Sequence, residues 1–205
     1  MAYPVAVTIE PRIAGRDRLT TGFRLILAIP HAILVGPLSS SRTGGAGLLG
    51  VAAIAMAIFS WFTILITGEH IRGIREFSLY YLRWRTRAIA YMALFVDVYP
   101  PFGDGDYPAA IAVADPALPR DRGSVAFRLI LAIPHFFMLC FLVIGWFFTT
   151  VMAWFAIVFT GSYPASLLPF GVGVMRWALR VEAYMLLLVD EYPPFSLRAD
   201  APLFS

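Results

Sequence analysis

The sequence predicts an all-α integral membrane protein built from two tandem parallel repeats, each a transmembrane helical hairpin followed by an amphipathic interfacial helix, with a short strand ahead of each hairpin. Three observations carry this. The 205 residues are 60% hydrophobic and 14% charged, with a mean hydropathy of +0.75, where a soluble domain is about half apolar and about a quarter charged. The nine residues FRLILAIPH at Phe23 to His31 return unchanged at Phe127 to His135, the mark of an internal duplication. All 16 basic residues are arginine, set against 13 acids for a net charge of +3, and the apolar runs nearly exclude them. This composition excludes a disordered chain, a basic nucleic-acid binder and a disulfide-stapled secreted domain. Cys140, the single cysteine, lies inside an apolar run and reads as a small buried hydrophobe.

The duplication sets the units at residues 1–102 and 103–205. An offset of 104 carries Tyr3-Pro4 onto Tyr107-Pro108, Val5 to Glu10 onto Ala109 to Ala114, and Arg16-Asp17-Arg18 onto Arg120-Asp121-Arg122. Further along the offset becomes 93, so WFTILITG at Trp61 to Gly68 falls on WFAIVFTG at Trp154 to Gly161. At that offset Arg83 to Phe102 matches Arg176 to Phe195 at 13 of 20 positions, both ending in Tyr-Pro-Pro-Phe. The difference is an insertion of 11 residues near Gly36 to Gly47, whose sequence GPLSSSRTGGAG has the composition of a flexible polar loop. Leu25 to Ser41 could suggest a cleavable signal, but the segment recurs in mid-chain and is expected to stay.

Each unit then reads in the same order. The alternating stretches Val5 to Ile9 and Ala110 to Ala114 are expected to pair and tie the halves together. The hairpins are expected at about 19–67 and 125–161. In the first, Leu48 to Thr67 gives 20 residues without a charge, a full span. In the second, Leu129 to Thr160 gives 32 uncharged residues, roughly 48 Å of helix at 1.5 Å per residue. That is too long for one crossing of a core about 30 Å thick, so a split near Gly145 into two short passes is expected.

The third segments, about 71–97 and 171–190, are too interrupted to span: only nine uncharged residues separate Arg87 from Asp97, and seven separate Glu182 from Asp190. As interfacial helices they would set Arg83, Arg87 and Tyr91, and likewise Arg176, Arg180 and Tyr184, on i, i+4 stripes facing headgroups. Four crossings leave 15 of the 16 arginines on one side, whereas six leave 10 against 6. The positive-inside rule therefore favours four, with both termini cytoplasmic.

Two duplicated sets could carry chemistry. His31 and His135 follow a proline in apolar segments, where a polar side chain is costly and normally partnered. Meeting across the repeat they could ligate a haem or pigment metal; taken singly, each would hydrogen-bond a neighbouring helix. Arg83, Trp84, Arg87 and Tyr91, with Arg176, Trp177, Arg180 and Tyr184, could hold anionic lipid phosphates by bidentate hydrogen bonds, or simply anchor a helix at the aromatic belt. Asp97 and Asp190 are expected to cap or pair with nearby arginines. Asp104 and Asp106 lack the remaining ligands of a calcium loop and read as a turn, and Glu69 to Glu76 reads as a solvated helix start. No nucleophile elbow, zinc-protease, phosphate-loop or dinucleotide motif occurs.

In FRLILAIPH, the WFxIxxTG run and the RWxxRxxAYxxLxxDxYPPF ending, the chain resembles the bacterial membrane-protein family catalogued as domain of unknown function 4389. Both copies match, and the first departs from the pattern in the insertion after Gly36 and in Glu69 to Glu76. The resemblance implies a membrane location and a repeated helical unit, and it lends no catalytic residues. The expectation is a non-enzymatic multi-pass protein of the bacterial inner membrane, a scaffold or accessory subunit or a lipid-binding protein. Its expected partners are anionic lipids and other membrane-protein subunits, with no nucleic acid and no cofactor. The alternatives are a small transporter or channel component, and a haem or pigment protein using His31 and His135.

Overall fold

A computed structural model of the chain describes residues 3–36, 47–118 and 120–198. Strand β1 (Val5–Ile9) pairs antiparallel with β2 (Ala109–Val113), setting Val5 against Val113, Val7 against Ile111 and Ile9 against Ala109. Val5 and Val7, with Ala109 and Ile111, turn inward, as alternation along a half-buried strand requires. The expected strand pair is therefore present. Its register has a further property: under the offset of 104, Val7 corresponds to Ile111, so it faces its own counterpart. Exchanging the two copies maps every pair in the ladder onto another. A twofold axis relating the copies thus passes through the Val7 and Ile111 pair.

The apolar run of the second copy is one helix, α6 (Arg122–Thr160), 39 residues long and about 58 Å at 1.5 Å per residue. Asp121 starts it, accepting hydrogen bonds from the amides of Gly123 (3.0 Å) and Ser124 (3.2 Å). Gly145 does not turn the chain. Its missing side chain makes room for Phe170, whose Cζ would lie 3.4 Å from a Cβ there. Pro134 sits inside the helix, where it removes one backbone donor without ending it.

In the first copy the same run comes in pieces. Asp17, the counterpart of Asp121, caps α1 (Arg18–Gly22); α2 (Arg24–Leu27) and α3 (Ile29–Val35) follow, joined by helical bonds from Leu27 to Phe23 and from Ala32 to Ala28. The breaks fall beside Gly22 and just ahead of Pro30. Helix α4 (Gly47–Thr67) then starts against the end of α3: a Cβ on Gly47 would strike the Gly36 amide and lie 2.6 Å from the Leu34 carbonyl. Val35 and Gly47 correspond to Leu139 and Cys140, which are adjacent in α6. The 11-residue insertion is spliced into the midpoint of a single helical run.

Neither expected hairpin forms. Trp61 Nε1 donates to the Val125 carbonyl at the start of α6 (2.8 Å), and Trp154 Nε1, near its end, donates to the Thr21 carbonyl (2.9 Å). Val125 and Trp154 lie about 44 Å apart along the helix, so Thr21 and Trp61 are equally far apart, which a folded-back hairpin forbids. The first-copy run instead extends alongside α6 in the opposite direction. Both tryptophan bonds are counterparts under the same twofold. The amide of Arg16 reaches the Gly161 carbonyl (3.0 Å) and that of Arg120 the Gly68 carbonyl (3.3 Å), tying each run's start to the other's end.

Helices α5 (Arg72–Met92) and α7 (Leu168–Met185) complete the fold. Helix α5 packs on β2 and α4, and α7 on β1 and α6, so strands and short helices share one face of the long pair. Among the described residues, α4 and α6 are the two helices long and apolar enough to cross a membrane, and only 22% of each apolar window is buried. This apolar surface is therefore exterior, not a soluble core. Cys140, expected to be buried, is exposed on α6, because the burial seam there runs through Ala132, His135 and Leu139.

Candidate functional site

Each copy ends its short helix on a left-handed leucine. The Leu94 amide bonds to the Tyr91 carbonyl (3.1 Å) and the Phe95 amide to the Ala90 carbonyl (3.0 Å), the Schellman pattern usually built on glycine. Leu94 has φ +64° and its counterpart Leu187 φ +61°, a conformation that costs an L side chain roughly 1–2 kcal/mol. What it gains is the direction of a carbonyl. Arg16 Nη1 donates to the Leu94 carbonyl (2.7 Å), and Arg120 Nη2 to that of Leu187 (2.9 Å).

These arginines belong to a duplicated cluster. Arg16 Nε and Arg24 Nη2 both donate to Asp97 Oδ1 at 2.8 Å, Arg24 Nη1 donates to the Val96 carbonyl (2.9 Å), and the Arg24 guanidinium lies 4.0 Å above the Tyr91 ring. In the second copy Arg120 grips Asp190 with two hydrogen bonds of 2.6 and 2.5 Å, Arg128 reaches it at 3.1 Å, and Arg128 covers the Tyr184 ring at 4.2 Å. Burial works to raise the pKa of Asp97, but the hydrogen bonds and charges of Arg16 and Arg24 outweigh it and hold the carboxyl below its ordinary range. Asp190 is held down in the same way, against burial, by Arg120 and Arg128. The two aspartates do pair with arginines, as expected, but with arginines from the far end of each unit.

A second duplicated cluster surrounds the histidines. Trp84 Nε1 donates to His31 Nδ1, and Trp177 Nε1 to His135 Nδ1, both at 3.0 Å. That bond places the proton of a neutral ring on Nε2. Phe102 stacks on His31 with Tyr99 tilted against it, and Phe195 and Tyr192 do the same at His135. Each histidine is thus enclosed by rings of its own unit, and the pair does not meet across the twofold as the metal-binding arrangement supposed.

Most of the two headgroup-facing stripes is also turned inward. Arg87, Trp84 and Tyr91 are buried, as are Arg180, Trp177 and Tyr184. The reason is that these faces carry the rings and guanidiniums that close on His31, His135 and the segments that end the two units. Arg87 donates to the Gly103 carbonyl and pairs with Asp104, and Arg180 bonds the carbonyls of Ser196 (3.0 Å) and Arg198 (2.9 Å). Arg176 lies half-buried, bonded to the Val7 carbonyl (3.2 Å). Arg83 alone of the eight stays exposed. It overlooks a cavity of about 220 Å³ lined also by Arg87, Asp106 and Tyr107.

A further cluster has no counterpart. Arg85 Nη1 donates to the Val35 carbonyl (2.5 Å), which the insertion leaves at a helix end, and Arg85 Nε and Tyr81 Oη donate to the Glu182 carboxylate at 2.8 and 2.9 Å. Their equivalents Ala178, Val174 and Ile89 are apolar, because α6 is unbroken there.

The family described as Domain of unknown function (DUF4389) matches residues 18–103 and again residues 122–196. The chain belongs to that family. No curated protein and no solved structure matches it. The two DUF4389 segments each hold the histidine box and one arginine of the carboxylate cluster, Arg24 or Arg128. The second arginine, Arg16 or Arg120, lies just outside them. Sequence reasoning missed Arg16, Arg24, Arg120 and Arg128 as the partners of Asp97 and Asp190. The available signal was Arg24 and Arg128 themselves, single charges repeated within FRLILAIPH.

Proposed function

We propose that this protein is a non-enzymatic membrane scaffold or accessory subunit, held by its long helices and presenting its arginine-rich face to partner subunits or anionic lipid. One observation carries the reading. The duplicated polar side chains, Arg16, Arg24 and Asp97 or His31 and Trp84 and their counterparts, are engaged with one another inside the protein, while the exposed face of the long helices is apolar. Such clusters brace a fold, and an apolar exterior of this extent marks a membrane or protein interaction site. Exposed Arg83 beside its cavity is the feature that favours a phosphate headgroup as one ligand.

The test is capture of the intact protein from membranes in mild detergent, with mass spectrometry of co-purifying proteins and lipids. A membrane subunit recovered in fixed ratio supports the scaffold reading. A purified protein that carries no partner but shows visible absorption or drives solute flux in proteoliposomes overturns it. Loss of a co-purifying anionic lipid in Arg83→Ala would place that lipid at the cavity.

A further inference from the structure

We infer that the protein sits in one leaflet, its two long helices lying in the membrane plane with the twofold axis along the membrane normal, and the acyl chains of that leaflet covering its apolar face. This rests on the membrane reading above. The geometry allows few choices. A twofold that exchanges two antiparallel rods is perpendicular to both, and here it passes through the Val7 and Ile111 pair. Either the helices stand across the bilayer and the axis lies in its midplane, or the helices lie flat and the axis points out of the membrane.

Standing helices put everything on the axis at mid-bilayer depth. That includes a two-stranded sheet with open edges and exposed Thr8 and Glu10, and backbone polar groups are not tolerated facing hydrocarbon. It includes the helix midpoint, where α3 stops at Val35 and α4 starts at Gly47; an interrupted helical backbone at the centre of the hydrocarbon is strongly disfavoured. The apolar length is wrong as well, since exposed apolar side chains run from Phe127 to Phe159, about 48 Å of helix against a hydrocarbon core of about 30 Å.

Flat helices remove all three conflicts. The sheet, α5 and α7 then form a cap at the headgroups, where exposed Arg12, Arg18, Arg72 and Arg122 meet anionic lipid. The apolar sides of both long helices sink along their whole length, as in other interfacial helices. A twofold along the normal also keeps the two repeats in the same sense relative to the membrane.

The experiment uses the full chain with Cys140→Ser and single cysteines at Leu118→Cys and Ser166→Cys, exposed positions that flank α6. A membrane-impermeant maleimide is applied to sealed vesicles of either orientation. The inference expects both sites to react from the same side; reaction from opposite sides overturns it and leaves the membrane reading standing. Bimane placed at Phe127→Cys, at native Cys140 and at Phe155→Cys, with brominated lipids as quenchers, should report equal depth. A maximum of depth at Cys140 would again mean spanning helices. Release of the protein by alkaline carbonate would sink the membrane reading itself. Absent quenching with Cys140 cross-linked between copies would put a second molecule, not lipid, on this face.

Discussion

Replacing Asp97 by asparagine is the sharpest test of the buried clusters. The side chains of Arg16 and Arg24 are 0% and 1% exposed and that of Asp97 8%, so the ion pairs have almost no water to fall back on. Asp97→Asn keeps the shape and one acceptor but leaves two guanidiniums without a countercharge. Removing one partner of a buried pair costs about 3–5 kcal/mol, and the retained acceptor argues for the lower end. For a chain of this size about 3 kcal/mol corresponds to a fall in Tm of about 6–12 °C. The assay is thermal melting followed by circular dichroism in a mild detergent. Asp115→Asn is the control, since Asp115 pairs with Arg75 but is 86% exposed, and surface pairs contribute about 0–1 kcal/mol. Adding Arg24→Met to Asp97→Asn should recover part of the loss. If Asp97→Asn melts with Asp115→Asn, the buried cluster does not brace the fold.

Further tests follow from other parts of the fold. Because the folded Asp97 and Asp190 have pKa values below the ordinary 3.8, their stabilisation is fully present above about pH 4 and is lost as pH falls through the depressed values; an acid titration of Tm should show a drop that Asp97→Asn and Asp190→Asn blunt. Trp84→Phe or Trp177→Phe leaves a buried histidine nitrogen without its donor and should destabilise by about 1–3 kcal/mol, whereas unchanged melting would mean the ring stack alone holds His31 and His135. Gly171→Ala puts a Cβ 2.9 Å from Trp146 Nε1 and 3.0 Å from Phe95 Cζ, overpacking that should cost about 1–3 kcal/mol and alter tryptophan fluorescence. Deleting residues 36–46 joins Val35 to Gly47 as Leu139 joins Cys140; the shortened chain should gain helicity and tolerate Arg85→Ala better than the full chain does, and unfolding of the deletion variant would refute the spliced-helix reading.

Much of this was legible because duplication repeats its own evidence. The strands and the site of the insertion both follow from two offsets. The hairpins did not form because a glycine in an apolar run is ambiguous: Gly145 looked like a turn and is instead a notch for Phe170. Two passes from one run require helices that stand upright, and a run of 32 uncharged residues says nothing of its tilt. The face carrying Trp84, Arg87 and Tyr91 was legible as a face but not as an inward one, because the aromatic residues that cover Trp84 and Tyr91, Phe102 and Tyr99, come from the end of the unit, which folds back. Pairing of Arg24 with Asp97 spans 73 residues, beyond the reach of any local pattern.

The self-matching strand register bears on ancestry. A chain half this length, carrying one copy, would own one strand with no partner and one tryptophan with its acceptor missing, and a second molecule of the same kind would supply both. The present protein therefore has the construction of a fused homodimer. The insertion at the helix midpoint sits in one copy only, and the link from Arg85 of the first copy to Glu182 of the second has no twin across the axis, which a dimer of identical chains could not have carried singly. In a single chain the two halves are free to differ, and the side bearing Arg85 is one place where they do.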